Sequence, residues 1–200
     1  MSRAGSYRYL VFNKPYGVLS SFTDPDGRQT LADYIQVPSV YSAGRLDRDS
    51  EGLLLLTSDP SLFHRITDPR YKMWKEYWVQ VEWIPSEDAL TSLRRGVLVK
   101  GKMTRQADVI LMAEPKLWPR TVPIRVRKHI PTAWLRIRIQ EGMNRQIRRM
   151  TAAIGYPTLR IVRIGIGPIR LGDLQPGEWR ELTNKEVAEL PAIYPTSASE

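Results

Sequence analysis

The sequence predicts an α+β fold built on a largely antiparallel sheet. Three observations carry that expectation. Leu53 to Leu56 is an unbroken apolar run. It is too short for a membrane span and reads as a strand buried on both faces. Tyr77 to Trp83 and Trp134 to Ile139 alternate apolar and polar side chains, the period of a half-buried strand. Short capped helices are scattered among such stretches without regular βαβ alternation, which favours antiparallel pairing.

Taken in order, residues 1–7 read as a loose tail and Tyr9 to Phe12 as a first strand. Asn13 to Gly17 (NKPYG) is a turn in which Pro15 fixes one dihedral and Gly17 frees another. Val18 to Phe22 continues as strand, and Thr23 to Gly27 (TDPDG) turns again. Thr30 opens a short helix with Asp33 as its capping-box partner. Tyr41 to Asp59 then joins a polar knot, Gly44 to Gly52, to the leucine run. The entry to a buried central strand lies at a sheet end, where a rigid scaffold can hold a reactive side chain.

Beyond it, Ser61 to Thr67 reads as helix, ended by Asp68-Pro69. Ser86 starts a second helix with Glu87 and Asp88 in its first turn; Arg94, Arg95 and Gly96 close it. Val97 to Val99 and Ala107 to Met112 form a hairpin across a Lys100-Gly101 turn, and Glu114 to Pro131 is proline-broken, irregular chain. After the strand at Trp134 to Ile139, Asn144 caps a helix. On it Ile147, Met150 and Ile154 share one face, and Arg145, Arg148 and Arg149 the opposite one. Gly155 and Pro157 stop it, Leu159 to Leu171 is strand with glycine interruptions, and Thr183 with Glu186 boxes a last helix. The Pro/Ser/Ala-rich tail, 192–200, frays.

Charge narrows the partner. Thirty Lys and Arg against 21 Asp and Glu give +9, which attracts polyanions, nucleic acid above all. Arg145, Arg148 and Arg149 make one basic group, continued by Arg160, Arg163 and Arg170; Arg120, Arg125, Arg127 and Lys128 make another. Trp74, Trp78, Trp118 and Trp134 offer rings for base stacking, although core packing accounts for at least two of the four. The chain has no cysteine and only His64 and His129. That leaves no thiolate metal site, no disulfide frame and no Ser-His-Asp triad. No P-loop, GxGxxG after a strand or HExxH occurs. A signal peptide and a spanning segment are both absent from the sequence, so the expected location is cytoplasmic. What remains is a carboxylate among arginines: Asp47, between Arg45 and Arg48. Flanking guanidinium groups favour a charged, nucleophilic carboxylate. Tyr77, on a regular strand, could supply a proton acceptor or a stacking ring. The plainer alternatives are a turn cap for Asp47 and core packing for Tyr77.

These residues also carry a resemblance. GRLDRDSEGLLLLTSD resembles the signature of RNA pseudouridine synthases, in the branch typified by the ribosomal small subunit pseudouridine synthase A. NKPYGVL (Asn13 to Leu19) is similar to its KPxG segment, KEYWV (Lys75 to Val79) to its KxYxV strand, and EGMNRQIRRM with Gly155 and Pro157 to its ExxxRQIRRM…GxP motif. Four motifs in order span about Tyr9 to Leu190. The resemblance implies a long, largely antiparallel mixed sheet with flanking helices, a central active-site cleft, and no metal or organic cofactor. It implies that Asp47 is the essential aspartate, Tyr77 the ring stacked on the target base, and Arg148 the basic residue paired with the aspartate. Arg45 would help hold a flipped nucleotide, with Lys14, Arg145 and Arg149 as further RNA-binding residues. Isomerising uridine requires a base flipped out of its stack. Asp47 could attack the sugar or the ring, or stabilise charge at the sugar.

Many members of this branch carry a small RNA-binding domain ahead of the catalytic one. Here the KPYG segment begins near residue 14. The expectation is one catalytic domain of two subdomains around the cleft, without that extra domain, acting as a monomer on ribosomal RNA, the large subunit favoured. A non-catalytic ribosome-assembly factor would bind RNA without turnover. A glycosidase would need a second acid about 5–10 Å from the first; Asp49 and Glu51 are the nominal partners, but the basic balance does not suit neutral sugars.

Overall fold

The computed structural model describes residues 7–68, 70, 73–124, 127 and 129–190. The tails expected at 1–7 and 192–200 thus lie, apart from Tyr7, outside the described residues, as do Arg125 and Lys128.

The centre of the fold is β3 (Glu51–Thr57), buried at every position. It pairs antiparallel with β1 (Tyr9–Lys14) on one side and, at its first residues, parallel with β9 (Thr158–Ile166) on the other. Beyond β9 come β4 (Lys75–Glu82), β8 (Thr132–Ile139) and β7 (Asp108–Met112), each antiparallel to its neighbour. Three short strands complete the sheet: β2 (Tyr41–Ser42) on β3, β10 (Ile169–Arg170) on β9, and β11 (Trp179–Glu181) on β1. Among the described residues nine strands form this one mixed, mostly antiparallel sheet. A separate hairpin pairs β5 (Leu98–Val99) with β6 (Lys102–Met103).

Apolar alternation fixes which face each strand buries. In β4, Tyr77, Val79 and Val81 turn inward with Leu135, Ile137 and Ile139 of β8, into one core with α2 (Glu87–Arg95) and α3 (Gln146–Ala153). On the β1–β3 side the unbroken run of β3 feeds two cores at once. Leu53 and Leu55 pack with α1 (Pro60–Thr67), while Leu54 and Leu56 pack with Leu10, Phe12 and Leu31. A strand covered on both faces must be apolar at consecutive positions, the pattern read in the sequence.

Most caps are as expected. Thr30 and Asp33 form a capping box on a single 3-10 turn (Leu31–Asp33), Ser86 caps α2, and Thr183 with Glu186 boxes α4 (Asn184–Glu189). Four local expectations are corrected. Val18–Phe22 is irregular chain: Ser20 Oγ bonds the Leu46 carbonyl and Ser21 Oγ donates locally to the Thr23 carbonyl. The hairpin across Lys100-Gly101 joins β5 to β6, whereas β7 crosses to β8 in the main sheet. Trp83 leaves the strand: its φ of 66° is left-handed and its ring is exposed. Asn144 does not cap α3. That place falls to Arg145, at φ 53° with no capping side-chain bond. Gln146 ties the turn instead, accepting from the Met143 N–H at 3.1 Å and donating to Glu141 at 2.6 Å.

Candidate active site

Asp47 sits in the loop between β2 and β3, and two other segments hold that loop. Ser20 Oγ donates to the Leu46 carbonyl at 2.8 Å and accepts the Leu46 N–H at 3.1 Å. The Gly17 N–H donates to the Arg48 carbonyl at 2.8 Å, and Arg48 Nε returns a bond to the Gly17 carbonyl at 3.0 Å. Both neighbours of Asp47 are therefore fixed, while its own carboxylate stays about one-third exposed. The KPYG turn, at Gly17, is thus one of the two clamps on the aspartate loop.

Lys14 is corrected by the same geometry. Its side chain is fully buried, and Nζ donates to the carbonyls of Pro15 and Val18 at 2.8 Å and of Arg48 at 3.4 Å. Burial pushes the Lys14 ammonium down to about 7, against the pull of Glu51 and Asp49. It is a strut beneath the loop and is not placed to meet RNA. Its strand position leaves it no path to solvent.

The pairing expected between Arg148 and Asp47 is also corrected. Arg148 Nη2 donates to the Asp49 backbone carbonyl at 2.7 Å and lies 3.3 Å from its carboxylate. Arg145 grips the same carboxylate with two bonds, 2.9 and 2.8 Å, and reaches Asp47 at 3.7 Å. Asp49 therefore gathers both arginines, and Asp47 has Arg145 as its near cation. Burial would raise the Asp49 carboxyl, but the Arg145 hydrogen bonds and the Arg148 charge outweigh it and hold it below the usual range. Burial lowers the Arg148 guanidinium, opposed by Asp49.

These residues line a cleft of about 1040 Å³. Arg45, Asp47, Tyr77, Arg145 and Arg148 all face it. Arg45 is exposed and has no ion pair among the described residues. Tyr77 is buried among core side chains and also forms part of the cleft wall. Arg149 lies outside the cleft and donates to Asn144 at 2.9 Å. Lys102 and Arg105, from the segment around β6, complete the opposite rim.

Two arginines expected on a basic surface are buried. Arg160 makes a bidentate pair with Glu51 at 2.9 and 2.8 Å, and Trp118 donates to the same carboxylate at 2.9 Å. That pair removes Glu51 from any second-acid role. Arg163 is 3 % exposed and lines the cleft. Trp134 and Trp118 serve the core, while Trp74 lies under the Arg138 guanidinium at 5.2 Å. Sequence reasoning missed Ser20, Asp49 and Arg163 as site residues. Asp49 carried a signal, a second carboxylate two residues from the first, whereas the fold alone brings Ser20 and Arg163 to this place. Among the described residues, no three His, Asp or Glu gather as a metal site and no helix is long and apolar enough to cross a membrane.

A mixed sheet that holds the Asp47 carboxylate in an arginine-walled cleft is the arrangement of an enzyme that acts on a polyanion. The chain belongs to the RNA pseudouridylate synthase family, whose model matches residues 8–153. It is 57 % identical over 175 residues to the ribosomal large subunit pseudouridine synthase E of Vibrio parahaemolyticus, covering 88 % of this chain and 74 % of that one. The synthase of the same name from Xanthomonas campestris is 56 % identical over 174 residues, covering 86 % and 93 %. A crystal structure of a pseudouridylate synthase superposes with a TM-score of 0.79 at 29 % identity, over 96 % of this chain and 76 % of that one.

Proposed function

We propose that this chain isomerises a specific uridine of large-subunit ribosomal RNA to pseudouridine, as a cytoplasmic monomer. Residues 8–190 act as one catalytic domain whose two halves, with separate apolar cores, flank the cleft. The observation that carries the reading is the clamped loop: Asp47 is held at both neighbours, with its carboxylate open to the cleft that Tyr77 walls. The names of the Vibrio and Xanthomonas relatives support the large subunit as the RNA source.

The reaction breaks C1′–N1 and makes C1′–C5. The C5 hydrogen leaves and N1 gains a proton, so composition is unchanged. The target base enters the cleft by flipping out of its stack. Tyr77 offers its ring to the base, and Arg45 and Arg145 meet the flipped nucleotide's phosphates at the rim. Asp47 supplies the negative group at the reacting centre, by attack on C1′ or on the ring, or by taking the C2′ proton. Arg148 acts through Asp49, which fixes the arginine pair beside Asp47.

Tritium release from large-subunit RNA labelled at uridine C5 tests this directly. Wild type should release tritium and Asp47→Asn should release none while binding the RNA with near wild-type affinity. Equal release by both proteins would remove Asp47 from the chemistry. Release by neither from RNA that is bound would mark a non-catalytic RNA-binding protein.

A further inference from the structure

Among the described residues, the buried cations differ in how they are satisfied. Arg160 has Glu51, and Lys14 has three carbonyls. Arg163 donates Nε to the Leu53 carbonyl at 2.7 Å, but its buried Nη2 has no partner, and no carboxylate pairs with it among the described residues. Lys75 is similar: its one polar contact among the described residues is the Met73 carbonyl at 3.5 Å. Burial, then the Arg163 charge, pushes the Lys75 ammonium down to about 8. Two cations side by side without an acid are costly to enclose, and the unsatisfied Nη2 of Arg163, on a side chain that lines the cleft, is open to a partner there.

The sheet register says where that partner arrives. Arg163 on β9 lies directly opposite Tyr77 on β4. Opposed residues share a face, with Cβ atoms about 5 Å apart. Lys75 lies two residues before Tyr77 on the same strand, hence on the same face. All three side chains line the cleft. A base stacked on Tyr77 would set one edge toward the two cations.

We infer that Arg163 and Lys75 are catalytic residues that bind the uracil oxygens and receive the negative charge that develops on the ring. The inference rests on the reading of Tyr77 as the base platform. When C1′–N1 breaks heterolytically, the electron pair stays on uracil and spreads to O2, O4 and C5. C5 then attacks C1′, its hydrogen departs as a proton, and N1 takes up a proton. If Asp47 instead adds to ring carbon C6, the charge again moves to O4. Either route needs a cation at the ring edge and not at the sugar. Donors fixed in advance toward developing charge cost no rearrangement during reaction. The bond to the Leu53 carbonyl fixes Arg163 against the strand that leaves the Asp47 loop. A phosphate is a poorer fit, because Arg163 is buried and Lys75 half-buried, whereas Arg45 is exposed.

Single-turnover tritium release and RNA affinity across a salt series, with wild type, Asp47→Asn, Arg163→Gln and Lys75→Met, form the test. The expected result is a loss in rate at saturating protein of about 10²-fold for each cation variant, with affinity within about twofold and the salt slope unchanged. Full rate in both variants, with wild type active and Asp47→Asn silent, overturns this inference alone. So does a weaker affinity and shallower salt slope at full saturating rate, the mark of a phosphate contact. No release by wild type overturns the parent reading and this one with it. Should Arg163→Gln fail to fold by thermal melting, Lys75→Met, whose apolar stem is kept, carries the test.

Discussion

Lys14 and Asp49 show how far a residue's role depends on which neighbour the fold supplies. Both belong to motifs plain in the sequence, and both act otherwise than their charge suggests. A lysine in a turn segment of a +9 chain reads as a phosphate contact; the KPYG turn folds over it and leaves only carbonyls within reach. Two carboxylates two residues apart cannot be told apart by spacing; the resemblance pairs Arg148 with Asp47, while its closer contact is with Asp49. Asp47 and Tyr77 were legible as cleft residues because loop entry and strand parity fix where they point. Lys14 has a measurable consequence. Its folded value of about 7 lies below the 10.5 of the free side chain. Between those values the unfolded chain binds the extra proton, so stability rises with pH, by at most about 1.4 kcal/mol per pH unit. Urea unfolding of wild type and Lys14→Met at about pH 7 and pH 9 reads this out. The wild-type advantage should grow toward the higher pH, while Lys75, present in both, cancels. An advantage constant with pH would mean that the three carbonyls keep the ammonium charged.

Elements with a clear period or a side-chain cap were legible: β3, β4, β8, α1, α2 and α4. The apolar runs of β1 and β9 were legible too, whereas two of the shortest strands and one helix start were not. β2 and β11 have two and three residues, too few to show alternation, and exist because long neighbours offer free edges. The start of α3 carries a conventional cap residue in Asn144, yet tertiary bonds through Gln146 override it. The junction of β3 with β9 is also set by tertiary contact. Gly52 has φ +100°, and a Cβ there would lie 2.3 Å from the Arg163 carbonyl oxygen and 2.8 Å from its nitrogen. That approach brings the strand after Asp47 against the strand bearing Arg163. Gly52→Ala combines left-handed strain with a backbone clash, and should cost roughly 3 kcal/mol or more in urea unfolding. Gly17, at φ +87° with nothing within 4 Å of its Cβ position, meets the strain alone, and Gly17→Ala should cost about 1–2 kcal/mol. Equal losses in the two variants would show that contact with Arg163 does not govern this junction.

At the scale of the molecule, charge and shape divide the labour. The sequence displayed the +9 balance but not its distribution, because burial decides which arginines reach a ligand. Arg160 is spent on Glu51, and with Trp118 it ties the irregular stretch before β8 onto the sheet. Arg145 is held by Asp49. Arg45 stands at the cleft with no ion pair among the described residues. RNA binding releases counterions in proportion to the phosphates neutralised, so affinity falls with salt at a slope that counts free cations. Removing Arg45 should therefore lower the slope of log affinity against log salt by about 1 and weaken binding alike for cognate and unrelated RNA. At about pH 6, where Lys14 is still largely protonated, Arg45→Ala and Lys14→Met each remove close to one positive charge, but Lys14 is sealed beneath the loop. Filter binding of both variants over a salt series separates net charge from placed charge. A shallower slope for Arg45→Ala alone places RNA at the cleft rim. Equal slopes for the two variants would mean that the overall field, rather than the rim of the cleft, holds the RNA.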